Sequence, residues 1–181
     1  MSNKRYEVEE NEVSVVPFDP NWFVLYTEEA RSLRNAINDI VHSIEHFGST
    51  SVEGLDAKPI VDILVGIQSD VSLTEAHIEA LAELDYEFLG EDGRRAGRFF
   101  FRKRGLNNFN VSFVPVDGDL WRDNVVLRDY LRAHPDEVRR YAAIKKAAAQ
   151  TSPNSLLGYQ NYKRYFIEEM KERARAWCGT I

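Results

Sequence analysis

Cysteine is nearly absent. Cys178 is the only one in 181 residues, which excludes an internal disulfide, and its place near the C-terminus gives no sign of a thiol nucleophile. A reducing compartment is expected. Long apolar runs are also missing, so no segment reaches the length of a membrane-spanning helix. Met1–Val13 is polar and acidic, without the apolar stretch of a secretory leader. The expected location is the cytoplasm, with no membrane partner. Excess positive charge is lacking too. The formal net charge of −6 disfavours broad nucleic-acid binding, which needs a basic surface, but leaves a small anionic ligand open.

The common phosphate motifs are missing as well. In "GSTSVEG" five residues separate Gly48 from Gly54 and Leu55 follows, whereas a Walker A loop places four residues between its glycines and then Lys before Ser or Thr. There is no Gly-x-Gly-x-x-Gly, so a Rossmann dinucleotide site is unsupported. His42, His46, His77 and His134 do not make a zinc set: the first two share a helical spacing, but Ser43-Ile44 already begins a strand. His46 either touches a ligand beside Gly48 or is satisfied by a neighbouring backbone group.

What remains is globular. Hydrophobic residues make up 44% and charged residues 29%, well clear of the disordered class. The length fits one domain over 1–181, with an α/β core at about 13–118 and a helical part at about 119–178. Asp19-Pro20 suits a helix start. Tyr26, Ala30, Leu33, Ile37 and Ile40 then recur at helical spacing, and the helix ends before Ile44. Ile44 to Phe47 reads as a short strand stopped by Gly48. Ile60 to Val65 reads as an inner strand covered on both faces, because its apolar character is nearly continuous.

Thr74 caps a second helix, with Ile78, Leu81, Ala82 and Leu84 as its buried stripe, and a strand follows near Tyr86–Leu89. "GRFFFRKR" and "FNVSFVPV" form a hairpin across Gly105–Asn108. Arg94, Arg95, Arg98, Arg102, Lys103 and Arg104 crowd the first of these two segments. They read either as the charges of a solvated edge strand, which is the preferred expectation, or as a binding patch. Three helices follow, from Asp119, from Pro135 and after Pro153. The fold class is α+β: a mixed sheet with flanking helices and a helical C-terminal half.

Asp62 is the residue that needs explaining. It stands inside the apolar strand "IVDILV", where an unpaired carboxylate is costly unless a cation or hydrogen-bond donor meets it. Either it faces a ligand or metal, or it accepts hydrogen bonds from loop amides or pairs with Lys58 and so holds the Gly48 turn in shape. Ser49, Thr50 and Ser51 are similarly open between phosphate contact and capping.

A strand ending in Gly48-Ser49, a linker of twelve residues, and then a strand bearing Asp62 resemble the nucleotidyltransferase superfamily related to polymerase β. The longer strings "VVPFDPNW", "HFGSTSVEGLDAKPIVDILV", "WRDNVVLRDYLRAHPDEVRRYAAIKKAAA" and "GYQNYKRYFI" resemble the GrpB family, described as nucleotidyltransferase-like, over nearly the whole chain. The resemblance implies a nucleotidyltransferase-like fold, a nucleotide or another phosphorylated small molecule as partner, and Asp62 as a catalytic residue holding Mg²⁺. It also implies that Gly48, Ser49, Thr50 and Ser51 cradle phosphate.

The chain departs from that superfamily at two places. Leu64 stands where a second strand carboxylate is expected, and Asn110 and Ser112 occupy the strand where a third is sought and where GrpB relatives often carry His-x-His. A missing acid would have to come from elsewhere, with Glu53, Glu91, Asp117 and Asp123 as unranked candidates. Two reactions classes therefore stay open: Mg²⁺-dependent nucleotidyl transfer to an unknown acceptor, or a noncatalytic ligand-binding module of the same fold.

Helical spacing adds two lysines. Lys145 shares a stripe with Val138, Tyr141, Ala142 and Ala149, and Lys163 shares one with Tyr159, Phe166, Ile167 and Met170. Such lysines either snorkel to water or bind phosphate. Both match GrpB-like positions, in "YAAIK" and in the Tyr-x-x-x-Lys-x-x-Phe-Ile string, and the phosphate role is expected for them together with Lys58. Among Arg122, Asp123, Arg128 and Asp129, which otherwise read as surface charge pairs, Arg128 is the chosen anion contact.

Overall fold

A computed structural model describes residues 13–91 and 98–179. Helix α1 spans Asn21–Ile37. It starts where the Asp19 carboxylate accepts a hydrogen bond from the Asn21 amide at 2.9 Å, satisfying one of the amide donors that a helix start leaves open. Strand β1 (Ser43–Phe47) and strand β2 (Val61–Ile67) follow, separated by a tight 3₁₀ turn at Ser49–Ser51. Helix α2 (Glu75–Ala82) is capped by Thr74, whose backbone amide donates to His77 Nδ1 at 3.1 Å. Strands β3 (Glu87–Glu91), β4 (Phe99–Lys103) and β5 (Phe109–Pro115) complete the sheet. Helices α3 (Asp119–Ala133), α4 (Pro135–Thr151) and α5 (Leu156–Cys178) then pack against one another.

The sheet order is β1-β2-β5-β4-β3. Among the described residues the β2/β5 pair alone is parallel, and the other strand pairs are antiparallel. Strand β2 is thus interior, as its apolar run requires. Strand β4 is interior as well, lying between β5 and β3, which corrects the edge-strand expectation. Its charges are accommodated by pairing: Arg102 meets Glu87 at 2.7 Å and Lys103 meets Glu29 at 3.0 Å. Arg94 and Arg95 lie outside the described residues.

Alternation along the strands divides the sheet into two faces. Ile63, Val65, Ile67, Val111, Phe113 and Phe101 point into a core shared with Trp22, Leu33 and Ile37 of α1 and Leu81 of α2. Asp62 and Leu64 are on the opposite face, in register with Asn110 and Ser112 of β5. Helix α3 approaches that face at Gly66, where an added Cβ would lie 2.8 Å from the Trp121 ring.

A second apolar cluster joins Val52 and Leu55, just after the 3₁₀ turn, to Leu131, Val138, Tyr141, Phe166 and Met170 of the three C-terminal helices. Arg132 adds two hydrogen bonds to the Ser51 carbonyl, at 3.0 and 2.9 Å. The turn following β1 is therefore held from the sheet on one side and from the helical half on the other.

Candidate functional site

Asp62 sits at the second position of β2, opposite Phe47 of β1 and Asn110 of β5. Its Oδ1 accepts a hydrogen bond from Asn110 Nδ2 at 2.8 Å. Arg104 Nη2 donates to Asn110 Oδ1 at 2.9 Å, which orients the amide so that its NH₂ faces the carboxylate. Burial pushes the Asp62 carboxyl above the usual carboxylate range. The Asn110 hydrogen bond and the charges of Lys163, Arg98 and Arg104 pull it back. The Asn110 bond comes from a side chain of the neighbouring strand, a partner that the sequence analysis did not name for Asp62.

Gly48 has φ +68°, a left-handed conformation that disfavours any side chain. An added Cβ would fall 2.6 Å from Asp62 Oδ2. Its first service is to let the turn close over the strand carboxylate.

The hydroxyl residues of the turn part ways. Ser49 is half-buried, and its hydroxyl opposes the rise that burial imposes on the Tyr141 phenol. Thr50 and Ser51 are buried: Thr50 Oγ1 lies 3.0 Å from His46 Nε2, and Ser51 Oγ donates to the Gly48 carbonyl at 2.7 Å. His46 is 3% exposed and packs in parallel on the Tyr26 ring at 4.7 Å. Burial, with Arg132 and Arg128 nearby, lowers its imidazole to about 3, so it is a neutral part of the core.

The two lysines come from different helices and their charges influence each other. Lys145 of α4 is 1% exposed and donates to the Asp56 carbonyl. Lys163 of α5 is half-buried. Each ammonium lies over the ring of the tyrosine one turn earlier, Lys145 at 5.2 Å from Tyr141 and Lys163 at 4.4 Å from Tyr159. Burial brings Lys163 down to about 8, with Asp62 opposing that shift and Lys58 adding to it. Burial likewise drives Lys145 well below the usual lysine range, and the Lys163 charge pushes in the same direction. Tyr159 is raised by burial to about 12, and Tyr141 is raised further.

Gly48 packs against Asp62, the charges of Lys145 and Lys163 interact with Asp62 and with each other, and Lys58 acts on Lys163. Arg128 is employed differently: it is 8% exposed, with Nη1 donating to Glu45 at 2.6 Å and to the His46 carbonyl at 3.1 Å, and Nε donating to Asp129 at 2.8 Å. Tyr141, Tyr159, Asn110 and Arg104 escaped the sequence reading as site residues. The repeated Tyr-x-x-x-Lys spacing of "YAAIK" and "YQNYK" was the available signal for the two tyrosines, because residues four apart stack on one helix face. Asn110 drew notice only as the occupant of a third acidic position, and Arg104 only as part of the charged run before the hairpin turn.

The donors around Asp62 do not suit Mg²⁺, which prefers several oxygen ligands in near-octahedral order. Leu64 is 1% exposed and apolar at the second acidic position. Beside it, Phe47, Leu64, Val114 and Leu120, together with Arg98, Ser112 and Asn124, line a cavity of about 10 Å³. Asp123 is committed to Arg175 and Asp117 to Ser69, at 2.5 and 2.6 Å, and Glu53 is exposed. The side chain of Glu91 lies outside the described residues. No group of three or more His, Cys, Asp or Glu placed to hold a metal occurs among the described residues.

A much larger cavity of about 630 Å³ lies elsewhere, between α1 and the β4–β5 turn, with Leu25, Glu29, Lys103 and Leu106 in its walls. Two of the charges in its walls, Lys103 and Glu29, pair with each other. No helix among the described residues is long and apolar enough to cross a membrane.

Comparison with known proteins gives a consistent picture. The sequence profile of the GrpB protein family matches residues 12–173. The glutamate-rich protein GrpB of Alkalihalophilus pseudofirmus is 34% identical over 167 residues, covering 90% of this chain and 96% of that one. The crystal structure of a conserved GrpB protein from Enterococcus faecalis superposes with a TM-score of 0.78 at 30% identity, over 91% of this chain and 99% of that one. The Cid1 poly(U) polymerase with Mg 3′-dATP bound superposes with a TM-score of 0.55 at 17% identity, over 89% of this chain and 54% of that one. At that identity the likeness concerns the fold, which is nucleotidyltransferase-like.

Proposed function

This chain belongs to the GrpB family, and from that premise we propose that it binds a nucleotide or another phosphorylated small molecule between the Gly48 turn and helices α4 and α5. The observation that carries the reading is that Gly48 closes on Asp62 while Lys145, held at the Asp56 carbonyl, and Lys163 both feel the Asp62 carboxylate. A buried ammonium at Lys145 with a half-buried one at Lys163 beside it is costly in a protein that only has to fold. A phosphorylated ligand gives them a use, since phosphate oxygens accept charge-assisted hydrogen bonds. Lys145, Tyr141 and Tyr159 form the floor; Ser49, Lys58 and Lys163 form the accessible rim. Asp62 helps both lysines remain protonated. The single, exposed Cys178 suits the cytoplasm, where such ligands abound.

Two readings of the cleft differ in chemistry. In nucleotidyl transfer, Asp62 would bind Mg²⁺ while a nucleotidyl group passes to an acceptor, and the polymerase-like fold supports that ancestry. The noncatalytic reading keeps the pocket and dispenses with the reaction. Leu64 buried at the second acidic position and Asn110 bonded to Asp62 favour the latter.

Calorimetry with a panel of nucleoside triphosphates tests the cleft itself. Lys163→Gln is expected to weaken binding by about tenfold or more, the equivalent of one charge-assisted hydrogen bond. An affinity unchanged by that substitution, or a panel in which nothing binds, ends the proposal. Asp62→Asn separates the readings: it abolishes binding if a metal on Asp62 anchors the ligand, and leaves it measurable if not.

A further inference from the structure

The larger cavity stands apart from the Gly48 cleft. Alternation along β4 and β5 places Lys103 and Phe109 on the sheet face of Phe101, the face that packs on α1, whereas Asp62 and Asn110 belong to the other face. Asp62 has no part in its walls. Its volume of about 630 Å³ falls inside the span of about 300–1,000 Å³ that small-molecule sites occupy.

At its base lies an ion pair that is satisfied from within. Glu29 is 8% exposed, and its Oε1 accepts from Lys103 Nζ and from the Tyr86 hydroxyl, both at 3.0 Å. The Lys103 ammonium also lies 5.5 Å from the Tyr86 ring centre and 5.6 Å from that of Phe109. A buried pair of this kind adds little stability by itself; here it keeps a polar floor under a space wide enough for a ligand. The pair neutralises itself, so the remaining charges decide what the cavity takes.

Those charges come from different elements. Glu28 of α1 is exposed and brings a carboxylate to the helix side. Arg104, on the side of the β4–β5 turn, donates to the Lys103 and Phe109 carbonyls at 3.0 and 2.8 Å and to Asn110 Oδ1 at 2.9 Å. These three acceptors carry no charge of their own, and they fix the guanidinium at the wall. Asp85, from the turn between α2 and β3, adds a second exposed carboxylate. Leu25 on α1 and the 99% exposed Leu106 on the β4–β5 turn supply apolar surface on the two sides. A lone anion would meet an excess of carboxylate, and a lone cation would leave the Arg104 side unanswered.

We infer that this cavity is a second ligand site, taking a small zwitterion of the amino-acid class whose ammonium is met by Glu28 and Asp85, whose carboxylate is met by Arg104, and whose apolar part rests on Leu25 and Leu106. Discrimination follows from the pairing of both ends, because a molecule with one charge alone desolvates a group that it does not satisfy.

Calorimetry at neutral pH tests the site with leucine, phenylalanine and lysine, each compared with its amide, which lacks the carboxylate, and with its N-acetyl form, which lacks the α-ammonium. At least one free amino acid should bind, and about tenfold or more tighter than either derivative, the equivalent of one charge-assisted hydrogen bond. Glu28→Gln, a change at an exposed position, should weaken that amino acid by about fivefold or more. The comparison of derivatives is made on the wild-type chain and does not depend on how the variant folds. Equal binding of an amide means a cation site, equal binding of an N-acetyl form means an anion site, and no binding by any of the three free amino acids means no site of this kind. Each of these overturns the inference, as does an affinity untouched by Glu28→Gln. No nucleotide enters these titrations, so their failure leaves the Gly48 cleft standing, and failure of the nucleotide panel leaves this cavity standing.

Discussion

Lys163, part of the proposed phosphate site, also registers in stability. Its folded value of about 8 lies below the 10.5 of an ordinary lysine. Between those two values the unfolded chain holds more protons on this group than the folded chain does, so its contribution to stability rises with pH across that window. The rise is limited to about 1.4 kcal/mol per pH unit for one group. Lys145, also lowered, adds a term of the same sign. The buried tyrosines work in the other direction only above their ordinary value of 10.0, which leaves mildly alkaline pH free of them. Replacing Lys163 by Met should remove part of the slope. Urea unfolding at about pH 7.5 and about pH 9.5, without phosphate, should show the variant gaining most over wild type at the lower pH. An advantage that stays equal at both would mean the ammonium is not held in a desolvated place.

At the scale of elements, the decisive contact is a turn pressed onto a strand. The 3₁₀ turn after β1 is fixed from below by Asp62 and from the flank by Val52, Leu55 and Arg132. It has no slack to move away. Gly48→Ala asks for a methyl group at a positive φ and within 2.6 Å of Asp62 Oδ2. Strain of about 1–3 kcal/mol is expected from the backbone alone, with the steric clash added to it. Thermal unfolding should reveal the loss, and ligand binding should fall along with it, since the same displacement moves Ser49. Gly54, also at positive φ but with nothing within 4 Å of an added Cβ, is the control: its substitution by Ala brings only the backbone term. Equal losses at the two positions would show that crowding by Asp62 does not matter.

At the scale of the whole molecule, the helical half is tied to the sheet rather than appended to it. Val52 and Leu55 lie in the same cluster as Leu131, Val138, Phe166 and Met170, and Val13 packs with Ala148 and Tyr159. Trp121 of α3 rests on Gly66 of β2. These contacts span residues far apart in the chain, so opening α4 and α5 exposes apolar surface on the Gly48 turn as well. A single cooperative unfolding transition is expected, with near-UV and far-UV circular dichroism coinciding. Two separated transitions would mean that the site is assembled from independently stable parts.

The elements were legible because their signals are local. The stripe through Leu33 and Ile37, the Thr74 cap, the hairpin across Gly105–Asn108 and the prolines before the last helices each specify a backbone state within a few residues. So was the oddity of Asp62, since a charge inside an apolar strand is visible without knowing its neighbours, and so were Lys145 and Lys163 on their helix faces. What surrounds these groups was not, because pairing is a property of the assembled sheet and bundle. Strand β4 is flanked on both sides only because β3 returns to it across a register irregularity. Asn110 meets Asp62 only because β2 and β5 lie parallel in that register. Arg128, read as an anion contact, is directed to Glu45 and Asp129 by the way α3 crosses β1. Spacing along a chain sets which side chains share a face; desolvation and charge partners, which decide what those side chains do, come from distant segments, 101 residues apart in the case of Asp62 and Lys163.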